Sequence, residues 1–160
     1  MNAMRERTAC FTGHRKIMEK DSPLLREKIR SVLIESIERG YCYFGAGGAL
    51  GFDTIAAQTV LDLRNQYPSI KLILVLPCLS QTKGWKTEDI MEYERIKASA
   101  DKVVYTSQEY HRGCMHKRNR HLVDNSSLCI CYLTEHNGGT AYTVNYAKEK
   151  ALMIVNVAEM

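Results

Sequence analysis

The sequence predicts an α/β fold in which a doubly wound sheet of about six mainly parallel strands carries helices on both faces. Six apolar segments alternate with five amphipathic segments along the chain, and this alternation is typical of parallel sheets joined by helices. Residues 72–76 are apolar at every position, so both faces of that strand are expected to be buried. Because no linker or low-complexity segment interrupts the chain, we expect a single domain over residues 1–160.

The first strand is expected at 8–12. A helix start follows, because Asp21 can cap the helix and Pro23 suits its first turn. Gly40 suits the position after a helix C-terminus. The rest of the alternation is predicted as strand 41–44, helix 53–67, strand 71–77, helix 87–100, strand 101–106, a helix within 110–125, strand 128–133, helix 140–150 and strand 152–157.

Residues 45–53 form a glycine-rich turn between the second strand and the next helix. The turn has four glycines in seven positions and ends in Asp53. Glycine allows positive φ and close approach of a ligand, and a helix start presents N–H groups to anions. The turn lacks the third glycine of the dinucleotide fingerprint and the Lys-Ser or Lys-Thr of a Walker loop. Its spacing fits either a phosphate site or a plain strand–helix connection.

The loops that follow the strands are the expected place for a ligand, because the carboxyl ends of parallel strands meet at one edge of the sheet. Two of these loops are glycine turns that open a helix, and others carry cationic, amide or aromatic side chains. The candidate ligand-binding residues are Gly13, His14, Arg15, Gly47, Gly48, Gly51, Asp53, Gln81, Trp85, Arg118, Asn119, Gly138, Gly139, Thr140 and Thr143.

Each candidate has a functional and a structural interpretation. Arg15 can hold a phosphate bidentately or stand in solvent as a loop arginine. Asp53 can accept hydrogen bonds from ribose hydroxyls, act as a catalytic acid or base, or compensate the helix dipole. Trp85 can stack on a base or cover the core. Arg118 and Asn119 can reach a ligand or belong to a solvated basic face.

Composition narrows the function classes. The net charge of +4 permits an anionic ligand without indicating nucleic acid. The six cysteines include no C-x-x-C pair, so no metal site is predicted. The first seven residues lack the apolar core of a signal peptide, and no apolar run could span a bilayer. We therefore expect a cytoplasmic protein without membrane contact, whose residues 1–4 are a disordered start or a remnant.

Five ordered motifs carry a resemblance to a known family over nearly the whole chain. They are residues 10–15 (CFTGHR), 47–53 (GGALGFD), 76–77 (LP) with Gln81 and Trp85, 115–124 (MHKRNRHLVD) and 138–143 (GGTAYT). Together they resemble the YpsA-like family of bacterial and phage proteins. That family belongs to the SLOG superfamily of Rossmann-like domains, with the DNA-processing protein DprA and the LOG-type enzymes.

The resemblance implies a three-layer Rossmann-like fold and a nucleotide-derived ligand, with nucleotide, NAD and ADP-ribose-like molecules as candidates. It further implies a sensor or regulatory module, a link to bacterial cell division or stress, and self-association as a homo-oligomer. The LOG-type motif Pro-Gly-Gly-x-Gly-Thr-x-x-Glu is incomplete here, because 137–140 is NGGT and Thr143 and Val144 occupy the region of the glutamate.

Whether the protein is an enzyme stays open at this point. One alternative is a nucleotide N-glycosidic-bond hydrolase that uses Asp53 as its carboxylate. A second alternative is a single-stranded nucleic-acid binder of the DprA type, because the basic run 110–121 could contact phosphates. Aromatic residues are not interleaved through that run, which favours a small anion over nucleic acid.

Overall fold

The computed structural model describes residues 3–160, and its centre is one six-stranded parallel sheet. The strands are β1 (Thr8–Gly13), β2 (Tyr43–Ala46), β3 (Lys71–Leu76), β4 (Lys102–Tyr105), β5 (Leu128–Tyr132) and β6 (Met153–Asn156). Their order across the sheet is β4-β3-β2-β1-β5-β6, and every neighbouring pair is parallel. The predicted Rossmann-like α/β fold is therefore confirmed.

Helices connect the strands and cover both faces of the sheet. They are α1 (Ala3–Glu6), α2 (Ser22–Glu38), α3 (Phe52–Leu63), α4 (Thr87–Ser99), α5 (Cys114–Asp124) and α6 (Gly139–Glu149), with 3-10 turns at Glu19–Asp21 and Val157–Glu159. The five long helices correspond to the five predicted ones. The short α1 was not predicted; it contains Ala3 and Met4, while residues 1–2 of the expected disordered start lie outside the described residues.

Alternate residues of the strands supply two separate apolar cores. Phe11, Phe44 and Leu74 face the core beneath α2, α3 and α4. Cys10 and Cys129 face the core beneath α5 and α6. Because both faces are covered, the central strands are apolar on both sides, which explains the unbroken apolar run in β3. Among residues 3–160, no helix is both long and apolar enough to cross a membrane.

Two predicted boundaries are wrong by several residues. β2 begins at Tyr43 and extends to Ala46, so Gly45 belongs to the sheet, where it pairs with Cys10 and Ile73. The helix predicted at 53–67 ends at Leu63 and continues as turns. Pro68 restricts the residue before it and cannot donate a helical hydrogen bond, so the last turn does not form.

The order of the strands reverses at β1. The chain adds β2, β3 and β4 on one side of β1, and then returns to add β5 and β6 on the other side. The loops that follow β1 and β5 therefore run to opposite faces of the sheet. Such a switch point leaves a crevice at the carboxyl ends of the two strands.

Candidate functional site

A cleft of about 260 Å³ occupies this switch point. Loops after β1, β2 and β5, the first two turns of α5 and the first turn of α6 form its walls. The residues that line it are Thr12, Gly13, His14, Arg15, Ala49, Asp53, Met115, His116, Arg118, Asn119, Glu135, Asn137, Gly138, Gly139 and Thr140.

The cleft brings together one part of the predicted residue set and leaves out another. Its predicted members are Gly13, His14, Arg15, Asp53, Arg118, Asn119, Gly138, Gly139 and Thr140. The predicted residues outside its lining are Gly47, Gly48, Gly51, Gln81, Trp85 and Thr143. The residues of the second group lie in the glycine turn, in the loop after β3 and within α6.

The loop after β1 is tied to the loop after β5 by His14. The backbone N–H of Thr134 donates to Nε2 of His14 at 2.9 Å, and the imidazole packs edge-on against Tyr132. His14 therefore positions the two walls of the cleft against each other. The neighbouring Arg15 is exposed, and among residues 3–160 its guanidinium has no hydrogen-bond or ion-pair partner.

The polar groups of the glycine turn are largely satisfied by the protein itself. The backbone N–H of Ala49 donates to the Asp53 carboxylate at 3.3 Å, and the N–H of Gly47 also points to that carboxylate. The Gly47 carbonyl accepts from Nη1 of Arg118 and from Nε2 of Gln81. The turn thus encloses a protein carboxylate at the place where a phosphate was predicted.

Close packing explains two of the glycines. A Cβ on Gly47 would lie 2.6 Å from Nη1 of Arg118, so a side chain there would displace the guanidinium. Gly51 has φ +78 and a Cβ there would overlap the carbonyl oxygen of Arg15. The N–H of Phe52 donates to the His14 carbonyl at 3.1 Å. These contacts join the glycine turn to the loop after β1.

Asp53 and Arg118 are opposite charges buried beside each other. Asp53 is 6% exposed and Arg118 is 3% exposed. Burial raises the pKa of Asp53, while the positive charge of Arg118 and the N–H of Ala49 oppose that rise. Burial lowers the pKa of Arg118, and the negative charge of Asp53 opposes that change. Each group therefore offsets part of the desolvation penalty of the other.

The orientation of Asn119 follows from its neighbour. Nε of Arg118 donates to Oδ1 of Asn119 at 2.7 Å. Because arginine can only donate, this contact assigns the oxygen of the amide to Arg118 and its NH₂ group to the other side. Asn119 lines the cleft, so that NH₂ group is a donor for a ligand there.

The start of α6 is the open end of the cleft. Gly138 and Gly139 are exposed, and a Cβ on either would meet no heavy atom within 4 Å. Thr140 lines the cleft in the first turn of the helix. Thr143 is buried and its hydroxyl donates to the Gly139 carbonyl at 2.9 Å, so it stabilises the turn without lining the cleft.

Gln81 and Trp85 belong to a neighbouring packing unit. The hydroxyl of Tyr93 donates to Oε1 of Gln81 at 3.0 Å, and the ring of Tyr93 lies 5.5 Å from the ring of Trp85 in an edge-on arrangement. Trp85 packs against the core and borders a separate slot of about 40 Å³ that also includes Asp53. The structural interpretation of Trp85, covering the core, matches this placement.

Several lining residues escaped the sequence prediction. Glu135 adds an exposed carboxylate, and Nδ1 of His116 is buried with no hydrogen-bond partner among residues 3–160. The His116 ring lies 4.1 Å from that of Tyr142 on α6. His116 stands three positions before Asn119, so helical spacing was a usable signal for it. Within residues 3–160, no group of three or more His, Cys, Asp and Glu side chains could hold a metal ion.

Comparison with known proteins identifies the family. The family model named YpsA, described as the YspA SLOG family, matches residues 10–156. The chain belongs to this SLOG family. The predicted resemblance is therefore confirmed, and the matched range contains every residue that lines the cleft.

Three relatives are similar to this chain over most of their length. The chain is 30% identical to the SPbeta prophage-derived protein YoqJ of Bacillus subtilis (strain 168), covering 80% of this chain and 82% of the relative. It is 28% identical to the UPF0398 protein YpsA of the same organism, and the match covers 79% of this chain and 72% of the relative. It is 31% identical to a UPF0398 protein of Bacillus thuringiensis (strain Al Hakam), and the match covers 84% of this chain and 76% of the relative.

Solved structures of DNA processing protein A share the fold. The protein from Helicobacter pylori, described for its single-stranded DNA binding mode, superposes with a TM-score of 0.65 at 18% identity over 92% of this chain. The Streptococcus pneumoniae protein superposes with a TM-score of 0.67 at 16% identity over 94% of it. The YpsA-family chain spans 63% and 50% of those two chains.

Proposed function

We propose that this YpsA-family protein binds a small nucleotide-derived ligand in the cleft at the switch point, as a sensor or regulatory module. Nucleotides, NAD and ADP-ribose-like molecules are the candidate ligands. The observation that carries the proposal is that the open start of α6 faces the same cleft as Arg15, which forms no hydrogen bond or ion pair within residues 3–160. Both features suit the oxygens of a phosphate.

The start of α6 favours a phosphate for three reasons. The helix has 11 residues and no acidic side chain in its first turn, so its dipole is not already compensated there. The open space around Gly138 and Gly139 lets a ligand reach the backbone N–H groups. Thr140 adds a hydroxyl in the same turn. A phosphate here would receive both N–H and O–H donors.

The rest of the cleft suits the sugar of a nucleotide. Asn119 offers its NH₂ group, while Asp53 and Glu135 offer carboxylate oxygens to ribose hydroxyls. A cleft of about 260 Å³ is smaller than the roughly 300–1,000 Å³ usual for larger ligands. Its enclosed part therefore suits one phosphate–sugar unit, with any further part of the ligand outside it.

Calorimetry and thermal unfolding test the proposal with AMP, ADP, NAD and ADP-ribose. A ligand that binds the folded state alone stabilises it by about 2.7 kcal/mol at 100 times its Kd, so unfolding should move to higher temperature. Arg15→Gln should weaken this effect, and Lys16→Gln, at an exposed neighbour outside the cleft, should not. The proposal fails if none of the four compounds binds at millimolar concentration.

A second candidate function is hydrolysis of a nucleotide N-glycosidic bond. The observation in its favour is that Asp53 is a buried carboxyl with a raised pKa in a cleft, which is common among catalytic acids and bases. Water would add to the sugar carbon as the base leaves with a proton. Release of free base, lost in Asp53→Asn while binding persists, would support it. Absence of base release from bound nucleotide would exclude it for that substrate.

Binding of single-stranded DNA is an alternative outcome of the same experiments. It predicts a steep salt dependence with oligo(dT), because each phosphate contact releases counterions. The basic run offers few exposed cations to an extended strand: Arg118 is buried at the wall of the cleft against Gly47, and Arg120 donates to the hydroxyl of Tyr142. Lys117 is exposed. This arrangement favours a small anion.

A further inference from the structure

A chain of contacts leads from the cleft to the single tryptophan of the sequence. Arg118 and Gln81 donate to the same carbonyl oxygen, that of Gly47. Gln81 accepts from Tyr93, whose ring packs on Trp85. We propose that Arg118 and Gln81 are positioning residues that couple occupancy of the cleft to the surroundings of Trp85. The inference rests on the proposed function, because an anion in the cleft is its input.

The input end is the donor set of Arg118. Its Nη1 donates to Gly47 and its Nε to Asn119, whereas the partner of Nη2 within residues 3–160 is the sulfur of Met115, at 3.8 Å. Thioether sulfur is a weak acceptor, and a phosphate oxygen forms a much stronger charge-assisted hydrogen bond. An anion in the cleft therefore recruits Nη2 and draws the guanidinium away from the Gly47 carbonyl.

The middle of the chain of contacts is closely packed and fully hydrogen-bonded at the Gly47 carbonyl. Both lone pairs of the Gly47 oxygen are used, one by Arg118 and one by Gln81. The next residue, Gly48, packs so closely that a Cβ there would lie 3.2 Å from Oε1 of Gln81 and 3.3 Å from Cε1 of Tyr93. A shift of the Gly47–Gly48 peptide is therefore transmitted directly to these two side chains.

The output end is an aromatic pair beside a slot. The Gln81 amide is engaged at both ends, by the Gly47 carbonyl and by the Tyr93 hydroxyl, so its movement changes the position of the Tyr93 ring. That ring meets Trp85 at 5.5 Å with an interplanar angle of 88°. Trp85 is half-buried, so its fluorescence emission responds to a change in this contact.

A first experiment tests the coupling without any ligand. Arg118→Met should shift the emission of Trp85, and the shift should disappear when Tyr93→Phe removes the hydroxyl but keeps the ring. If Arg118→Met does not fold, Arg118→Lys replaces it in the same measurement, because lysine keeps the charge but lacks the planar guanidinium. The matched control is Arg120→Met, because Arg120 contacts Tyr142 and not Gly47. An unchanged emission, or the same shift in the Tyr93→Phe background, overturns the proposal.

A second experiment uses AMP as the probe, with calorimetry and fluorescence on the same sample. The coupling predicts an emission change with the same midpoint as the heat, and loss of that change in Tyr93→Phe while the Kd stays within about threefold. Heat without an emission change overturns the coupling and leaves the proposed function intact. No heat counts against the proposed function, and the ligand-free variants then decide the coupling.

Discussion

Arg118 donates a hydrogen bond to the carbonyl oxygen of Gly47, a residue that precedes it by 71 positions in the chain. Both residues are buried. This contact joins α5 to the glycine turn after β2 and places a guanidinium beside the Asp53 carboxylate. The packing of the loops at the carboxyl edge of the sheet therefore depends on a charged side chain that is buried.

Replacing Arg118 should be strongly destabilising. Arg118→Met removes the positive charge that opposes the desolvation of Asp53, together with the charged hydrogen bond to the Gly47 carbonyl. Loss of a hydrogen bond made by a charged group costs about 1.5–3 kcal/mol. Urea unfolding measures the loss. Adding Asp53→Asn should recover part of it, because the two residues interact and their effects are not additive. A loss below about 1 kcal/mol would mean that the pair does not carry the stability assigned to it.

The stability of the fold should depend on pH through Asp53. Burial raises its pKa above the ordinary value of 3.8, so the native state binds this proton more tightly than the unfolded state. The free energy of unfolding therefore falls as pH rises from about 3.8 through the raised pKa.

The variant Asp53→Asn lacks this titration and provides the reference. The stability of the wild type relative to Asp53→Asn should be greatest at acid pH and should decline toward neutral pH. Urea unfolding of both proteins across the pH series gives the difference directly. A difference that grew with pH would indicate a lowered pKa, contrary to the effect of burial.

Gly51 and Gly84 form a matched pair for testing the packing of the glycine turn. Their φ angles are nearly equal, +78 and +84, but a Cβ on Gly51 would overlap Arg15 while one on Gly84 would meet nothing within 4 Å. Alanine at either position bears the strain of a positive φ, which L residues rarely adopt. Gly51→Ala should cost clearly more, and equal losses in chemical denaturation would contradict the close approach of the two loops.

Arg15 should affect ligand affinity without affecting stability. Its side chain is exposed and forms no hydrogen bond or ion pair among residues 3–160, and its charge acts on Asp53 less than that of Arg118 does. Arg15→Gln should therefore change the free energy of unfolding by less than about 0.5 kcal/mol. Loss of a charge-assisted phosphate contact should raise the Kd for AMP about tenfold. Calorimetry gives the Kd and urea unfolding the stability. A stability loss with unchanged affinity would reverse the assignment.

The fold could be predicted from the sequence because burial on both faces leaves a direct pattern. The apolar run in β3 and the alternation of strands and helices indicated a parallel sheet, and its connections placed the cleft at one edge. Strand order was not predictable in this way, because the pairing of Ala9 with Leu128 joins segments that are far apart in the chain.

The site was only partly predictable, because residue type does not reveal which partner a polar group finds. Arg15 and Arg118 are both arginines at the carboxyl edge, yet Arg15 is exposed in the cleft and Arg118 is buried against Gly47. The glycines after β2 were predicted to contact a ligand, and the N–H groups of Gly47 and Ala49 point to the Asp53 carboxylate. Such competition between internal and external partners is decided by packing.

The strand order has a consequence for how the chain folds during synthesis. β1 precedes the other five strands of the sheet in the chain and lies in the middle of the sheet, but its pairing with β5 requires residues near 128–132. Until those residues leave the ribosome, the backbone edge of β1 that pairs with β5, at Cys10 and Phe11 among others, has no partner strand. Unpaired apolar edges promote aggregation. A nascent chain stalled before β5 should therefore need chaperone protection, which a chain extended past β6 should no longer need.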